Sequence, residues 1–159
     1  AQAEAPGALP SREPVALDGV VDSLLEFYEL LAEDRQLTLR REGVASVEGN
    51  RLMLHRAIAN LLSNALKHAT ASSEVRVRLA EADGVCRVSV HNVGTPISAE
   101  ALPRLFDRFY RGERGRHEGA GLGLAITRAI AQAHGGSVSV ASDDTGTVFE
   151  LVLPSAAAR

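Results

Sequence analysis

A chain of 159 residues, 45% hydrophobic and 23% charged, carries enough apolar mass for one globular core, which excludes disorder as the whole answer. Seventeen Lys and Arg against twenty Asp and Glu give a formal net charge of −3 with the basic residues scattered, so no electrostatic footprint for nucleic acid is present, and no apolar run approaches a membrane span. The single cysteine, Cys86, allows neither an internal disulfide nor a Cys-based zinc site and suits a reducing, cytoplasmic setting.

Residues 1–13 are rich in Ala, Pro and Gly without a period and read as a linker from an upstream domain, not as a signal peptide. The folded unit is expected over 14–154, with 155–159 a C-terminal tail. Asp18 can cap a helix whose stripe is Leu17, Val20, Val21, Leu24, Tyr28 and Leu31, ending near Arg35. Short strands are expected at Leu37 to Arg41 and Ala45 to Glu48. From Arg51 to His68 the period turns helical, with Leu54, Ile58, Leu61, Leu62, Ala65 and Leu66 on one face.

Val75, Val77 and Leu79 then alternate with Arg76 and Arg78, and Asp83-Gly84 marks a tight hairpin into Cys86, Val88 and Val90. Asn92 to Gly121 is loop-rich, with Ser98 to Phe106 able to cap a short helix, and a mobile excursion is expected there. Leu122, Ile126, Ala129, Ile130 and Ala133 define a further helix that stops at Gly135-Gly136. A last hairpin runs from Val138 and Val140 through Asp143-Asp144-Thr145-Gly146 to Phe149, Leu151 and Leu153, with Pro154 ending the strand. Three helices beside hairpins predict an α+β chain, a two-layer α/β sandwich with a mixed sheet packed against the helices.

Asn60, Asn64, Lys67 and His68 recur in steps of three and four, on the helix side away from the apolar stripe. A solvated face is one reading. Asn is a mediocre helix former, however, and two at helical spacing beside Lys also suit a polyphosphate with its metal, since magnesium can take one protein amide oxygen among waters and phosphates. Gly119-Ala-Gly-Leu-Gly-Leu runs straight into a helix, where unpaired N–H groups and the dipole attract anions. It lacks the strand that precedes a Rossmann loop and the Lys-Ser/Thr of a P-loop, and a flexible loop with a tight turn is its other reading. Asn92 shares parity with Cys86, Val88 and Val90, so it faces the apolar side and needs a partner, either backbone or ligand.

In this order the segments resemble the catalytic, ATP-binding domain of sensor histidine kinases, in the superfamily that also holds gyrase, the Hsp90 chaperones and MutL. The match to the Asn box is Asn60 to His68, to the phenylalanine box Phe106-Asp-Arg-Phe-Tyr-Arg, to the second glycine box Gly119 to Leu124, and to the last box Gly146-Thr147. The resemblance implies ATP and Mg2+ as cofactors, with Asn64 on the metal and Asn60 and Lys67 as catalytic residues. Asn60, Lys67, His68, Asn92, Gly94, Ile97, Leu122, Leu124 and Thr147 would line the nucleotide pocket. Arg111 and the glycine loop at Gly119, Gly121 and Gly123 would face phosphates, and Phe106 and Phe109 would anchor a lid over Thr95 to Gly119.

Where the family's first glycine box has Asp reading the adenine amino group and a second glycine, this chain has Asn92 and Pro96. An Asn carbonyl still accepts that hydrogen bond, more weakly than a carboxylate. The Asn-x-Gly-x-Pro-Ile form is similar to heavy-metal, copper-type sensor kinases. The superfamily's hydrolases carry Glu where Asn60 stands, and an amide cannot act as a general base, so hydrolysis is expected to be slow. None of His55, His68, His91, His117 and His134 sits in the family's His-Glu/Asp-x-x-x-Pro phosphoacceptor context. The implied partners are therefore a separate dimerisation and phosphoacceptor helical domain and a downstream response regulator, with no contact to nucleic acid or membrane by this domain. A serine-directed kinase of the anti-sigma-factor type and a non-catalytic nucleotide-binding module are the rival readings. Cys86 reads as a small core residue and His134 as a helix C-terminal cap.

Overall fold

The longest helical pattern forms as one helix, α3 (Arg51–His68), because a cap and an apolar stripe agree on its start: the Asn50 side chain accepts the Met53 N–H at 3.0 Å. In this computed structural model, which describes residues 9–108 and 123–156, α3 lies along the inner face of a five-stranded sheet. Before it come β1 (Glu13–Ala16), α1 (Leu17–Phe27), α2 (Glu29–Asp34), β2 (Thr38–Glu42) and β3 (Ser46–Gly49). After it follow β4 (Glu74–Ala82), β5 (Val85–Asn92), a single 3-10 turn at Leu102–Arg104, α4 (Gly123–Ala133), β6 (Ser137–Asp143) and β7 (Gly146–Pro154).

The sheet order is β2-β4-β5-β7-β6, parallel between β2 and β4 and antiparallel elsewhere, which makes it mixed as expected. β1 and β3 form a separate antiparallel pair. On the inner face Val75, Val77, Leu79, Cys86, Val88, Val90, Phe149, Leu151 and Leu153 meet Leu54, Ile58, Leu61, Leu62 and Leu66 of α3, all of them buried. Each such side chain contributes about 1.5–3 kcal/mol relative to exposure, so this layer dominates the stability. The outer face carries exposed cross-strand pairs such as Arg78–Glu42 and Arg87–Glu150, each worth at most about 1 kcal/mol.

Three local expectations change in the structure. The helix expected from Asp18 to Arg35 is interrupted at Tyr28, and the buried stripe rotates there: Ala32 is buried, whereas Leu31 is half exposed. Ala16, not Asp18, occupies the N-cap position because β1 runs directly into α1; Asp18 sits in the first turn, where its charge favours the helix dipole. The segment from Ser98 to Phe106 forms only the 3-10 turn, with the Ser98 hydroxyl accepting the Ala101 N–H at 3.1 Å. The hairpin at Asp83-Gly84 forms as read, both residues at positive φ. At the end of α4, Gly135 takes φ +79, and the N–H groups of Gly136 and Gly135 close on the carbonyls of Ala131 and Gln132 at 2.8 and 3.0 Å.

Candidate active site

The polar face of α3 is where the separate elements converge. Asn60, Asn64 and His68 are half-buried and Lys67 is exposed, along the C-terminal half of α3. The Asn60 amide Nδ2 donates to the Gly123 carbonyl at 3.0 Å. That bond fixes the first turn of α4 beside the Asn-bearing face and brings the start of a helix, with its positive dipole end, next to Asn60. Thr127, fully buried, reinforces the junction: its hydroxyl lies 3.3 Å from the Ala57 carbonyl and 3.1 Å from that of Gly123. Leu124 is partly buried against the core behind it.

The other wall comes from the strand ends. Asn92, 3% exposed, ends β5 on the inner face, as its parity required, and its register partner on β7 is Thr147, 5% exposed. Gly94 follows, and a Cβ there would overlap the carbonyl oxygen of His68, so only a bare Cα lets this loop reach the end of α3. The Thr70 N–H donates to the Val93 carbonyl at 2.7 Å and holds the same approach. Ile97 is tied in through its N–H, which donates to the Ser142 hydroxyl at 2.9 Å. Phe106 is buried edge-on against Phe149, with ring centroids 6.0 Å apart, and so anchors the segment that follows the 3-10 turn. Phe109, Arg111, Gly119, Gly121 and Leu122 lie outside the described residues.

The Asn64 side chain makes no hydrogen bond to another described residue, which leaves its amide oxygen available. No group of three His, Cys, Asp or Glu side chains gathers among the described residues. A cation here would therefore rest on an amide oxygen together with phosphates and water, which is magnesium's habit. The donor set fits a metal-chelated polyphosphate.

Ser142 and Thr127 are site-building residues that periodicity did not single out. Ser142 was within reach: closing the hairpin at Asp143 to Gly146 sets Ser142 opposite Thr147. Thr127 lies on the buried side of α4, and only the packing of α4 on α3 reveals its partners. Two titratable groups sit elsewhere. The Cys86 thiol is pushed up to about 12, first by burial and then by Glu81, so it is inert in the core. His134 does not simply cap α4. Its ring is buried, Nδ1 lies 2.9 Å from the Ile130 carbonyl, and Nε2 accepts the Asn50 N–H at 3.1 Å. Burial is the main cause holding it below its ordinary 6.5; the Ile130 carbonyl opposes this and Arg12 adds to it.

An Asn-bearing helix face, a helix start beside it and a buried Asn–Thr pair at the sheet ends define an ATP-binding domain of the histidine kinase type. Residues 49–157 match the family described as histidine kinase-, DNA gyrase B- and HSP90-like ATPase, and the chain belongs to that family. It is 46% identical over 158 residues to the sensor histidine kinase CusS of Escherichia coli O6:H1, covering 97% of this chain and 33% of CusS. It is 37% identical over 142 residues to the sensor protein CzcS of Cupriavidus metallidurans, covering 87% of this chain and 30% of CzcS. The solved mycobacterial sensor histidine kinase MprB superposes with a TM-score of 0.80 at 30% identity, covering 91% of this chain and 97% of that one. The chain thus spans about a third of the length of the curated relatives. Among the described residues no helix is long and apolar enough to cross a membrane.

Proposed function

We propose that this domain holds Mg·ATP between α3 and α4 and presents its γ-phosphoryl group to a histidine on a separate helical domain, as the catalytic part of a heavy-metal-type sensor histidine kinase in the cytoplasm. The observation that carries this reading is the 3.0 Å bond from Asn60 to the Gly123 carbonyl, which joins the Asn face to the helix start. Asn64 offers the amide oxygen for the metal, and Lys67 and His68 extend the same face toward the phosphates. Asn92 and Thr147, buried at the sheet ends, read the base, with Gly94 and Ile97 closing that end. Bound Mg·ATP supplies the transferable phosphoryl group with its charge partly neutralised. The protein's part is positioning and electrostatics: the α4 dipole faces developing negative charge, and Asn60 orients without taking a proton from water. Slow hydrolysis and transfer to a placed histidine follow from the same residue. The residues ahead of β1 serve as the linker to the phosphoacceptor domain and β1 to β7 as the catalytic unit, with a response regulator receiving the phosphoryl group.

Incubation with radiolabelled ATP and the helical domain of the same protein tests this. An acid-labile, base-stable label on that domain, lost in Asn64→Ala, is the expected result. An acid-stable phosphoserine on a partner would favour a kinase of the anti-sigma-factor type. ATP binding without transfer, even with the two domains tethered, would favour a nucleotide module without catalysis.

A further inference from the structure

The base-reading end of the site contains an ambiguity that Asn92 creates. A carboxylate can only accept, whereas an amide offers an acceptor on one atom and a donor on the other, so an Asn that is free to turn can face a 6-aminopurine or a 6-oxopurine. The neighbouring hydroxyl pair bears on this choice. Ser142, half-buried on edge strand β6, receives the Ile97 N–H at 2.9 Å, and its Oγ lies 2.7 Å from Oγ1 of Thr147. A hydroxyl has one proton and two lone pairs. The 2.7 Å contact fits either hydroxyl as donor, but accepting the Ile97 N–H polarises the Ser142 O–H and favours it as the donor, and with that proton on Thr147 the Thr147 proton points away from Ser142. Asn92 is the register partner of Thr147 across β5 and β7, and directly opposed residues project from the same face.

We infer that Ser142 is a positioning residue that turns Thr147 into a fixed hydrogen-bond donor beside Asn92 and so selects the adenine edge. Adenine presents an acceptor ring nitrogen beside an amino donor, which meets a Thr147 donor and the Asn92 carbonyl oxygen. Hypoxanthine reverses both groups, and a Thr147 locked as a donor opposes its ring N–H. The same Ser142 hydroxyl holds the Ile97 backbone, so losing it loosens two groups at once. This inference rests on the nucleotide-binding reading above.

Calorimetric titration of the chain with Mg·ATP and with Mg·ITP, for the wild type, Ser142→Ala and Ser142→Thr, tests it. The wild type should prefer ATP. Ser142→Ala should weaken ATP binding by about tenfold, the scale of one lost hydrogen bond, and ITP binding by less, moving the ATP/ITP ratio toward one. Ser142→Thr, which keeps the hydroxyl, should restore the ratio. A purely structural role would lower the melting temperature and weaken both nucleotides equally. An unchanged ratio in Ser142→Ala, whatever the absolute affinities, or a wild-type ratio near one, overturns the inference while leaving nucleotide binding intact. A wild type that binds neither nucleotide overturns the binding reading itself.

Discussion

Nε2 of His134 accepts the backbone N–H of Asn50 at 3.1 Å, across 84 positions of sequence. Asn50 is the N-cap of α3, and His134 directly follows α4, so one buried ring ties the start of α3 to the end of α4. With Nδ1 on the Ile130 carbonyl, the geometry fits the neutral Nδ1–H tautomer.

Protonation of that ring places a proton on Nε2 facing the Asn50 N–H. The folded-state pKa is lowered from 6.5, so between those two values the unfolded chain binds a proton that the native chain does not. The His134 contribution is thus fully present above about pH 6.5 and is lost as pH falls from there toward the folded value. Urea midpoints at pH 7.5 and 5.5 should show a larger acid loss for the wild type than for His134→Gln. Equal losses in the two proteins would mean that His134 is not the titrating group. Asp143, held below its ordinary 3.8 chiefly by the Thr145 hydroxyl, acts in a separate window further toward acid.

Asn92→Asp replaces a neutral acceptor by a charged one, and charge-assisted hydrogen bonds are roughly twice as strong. Its site is almost fully buried, so the new carboxyl would have its pKa raised and be ionised mainly at higher pH. At pH 8 the variant should bind Mg·ATP about tenfold more tightly, and the gain should shrink toward pH 6. Equal or weaker binding at pH 8, by calorimetry, would show that the site is fitted to an uncharged amide.

Gly94→Ala sets a methyl group against the backbone carbonyl of His68, which no side-chain rotation can relieve. The expected cost is about 1–3 kcal/mol in urea unfolding, together with weaker Mg·ATP binding because His68 and the Asn92 loop must part. A variant of wild-type stability would mean that the loop stands further from α3.

Cys86 should resist a disulfide reagent in the native state at pH 8, because burial holds its thiol protonated as well as inaccessible. In urea, labelling should rise with the unfolding transition. Fast native labelling would imply that the sheet opens locally at β5.

Local chemistry settled the elements whose signals lie within a few residues of one another. α3 begins and ends where its cap and period require, Asp83-Gly84 turns with two positive φ values, and Asn92 faces inward because strand side chains alternate. The order of the boxes from Asn60 to Thr147 marked the family for the same reason, since each box is a contiguous stretch. Tertiary structure decided the rest. Nothing near Tyr28 foretells that the buried stripe rotates from Leu31 to Ala32, because that depends on which surface lies beneath α2. Asn60 reaches the carbonyl of Gly123, Ser142 joins Ile97 to Thr147, and His134 receives the N–H of Asn50. Backbone propensity and side-chain period act over one or two turns, whereas most of these partners are tens of residues apart and meet only when the sheet order and helix packing bury their polar groups together and each must find a partner.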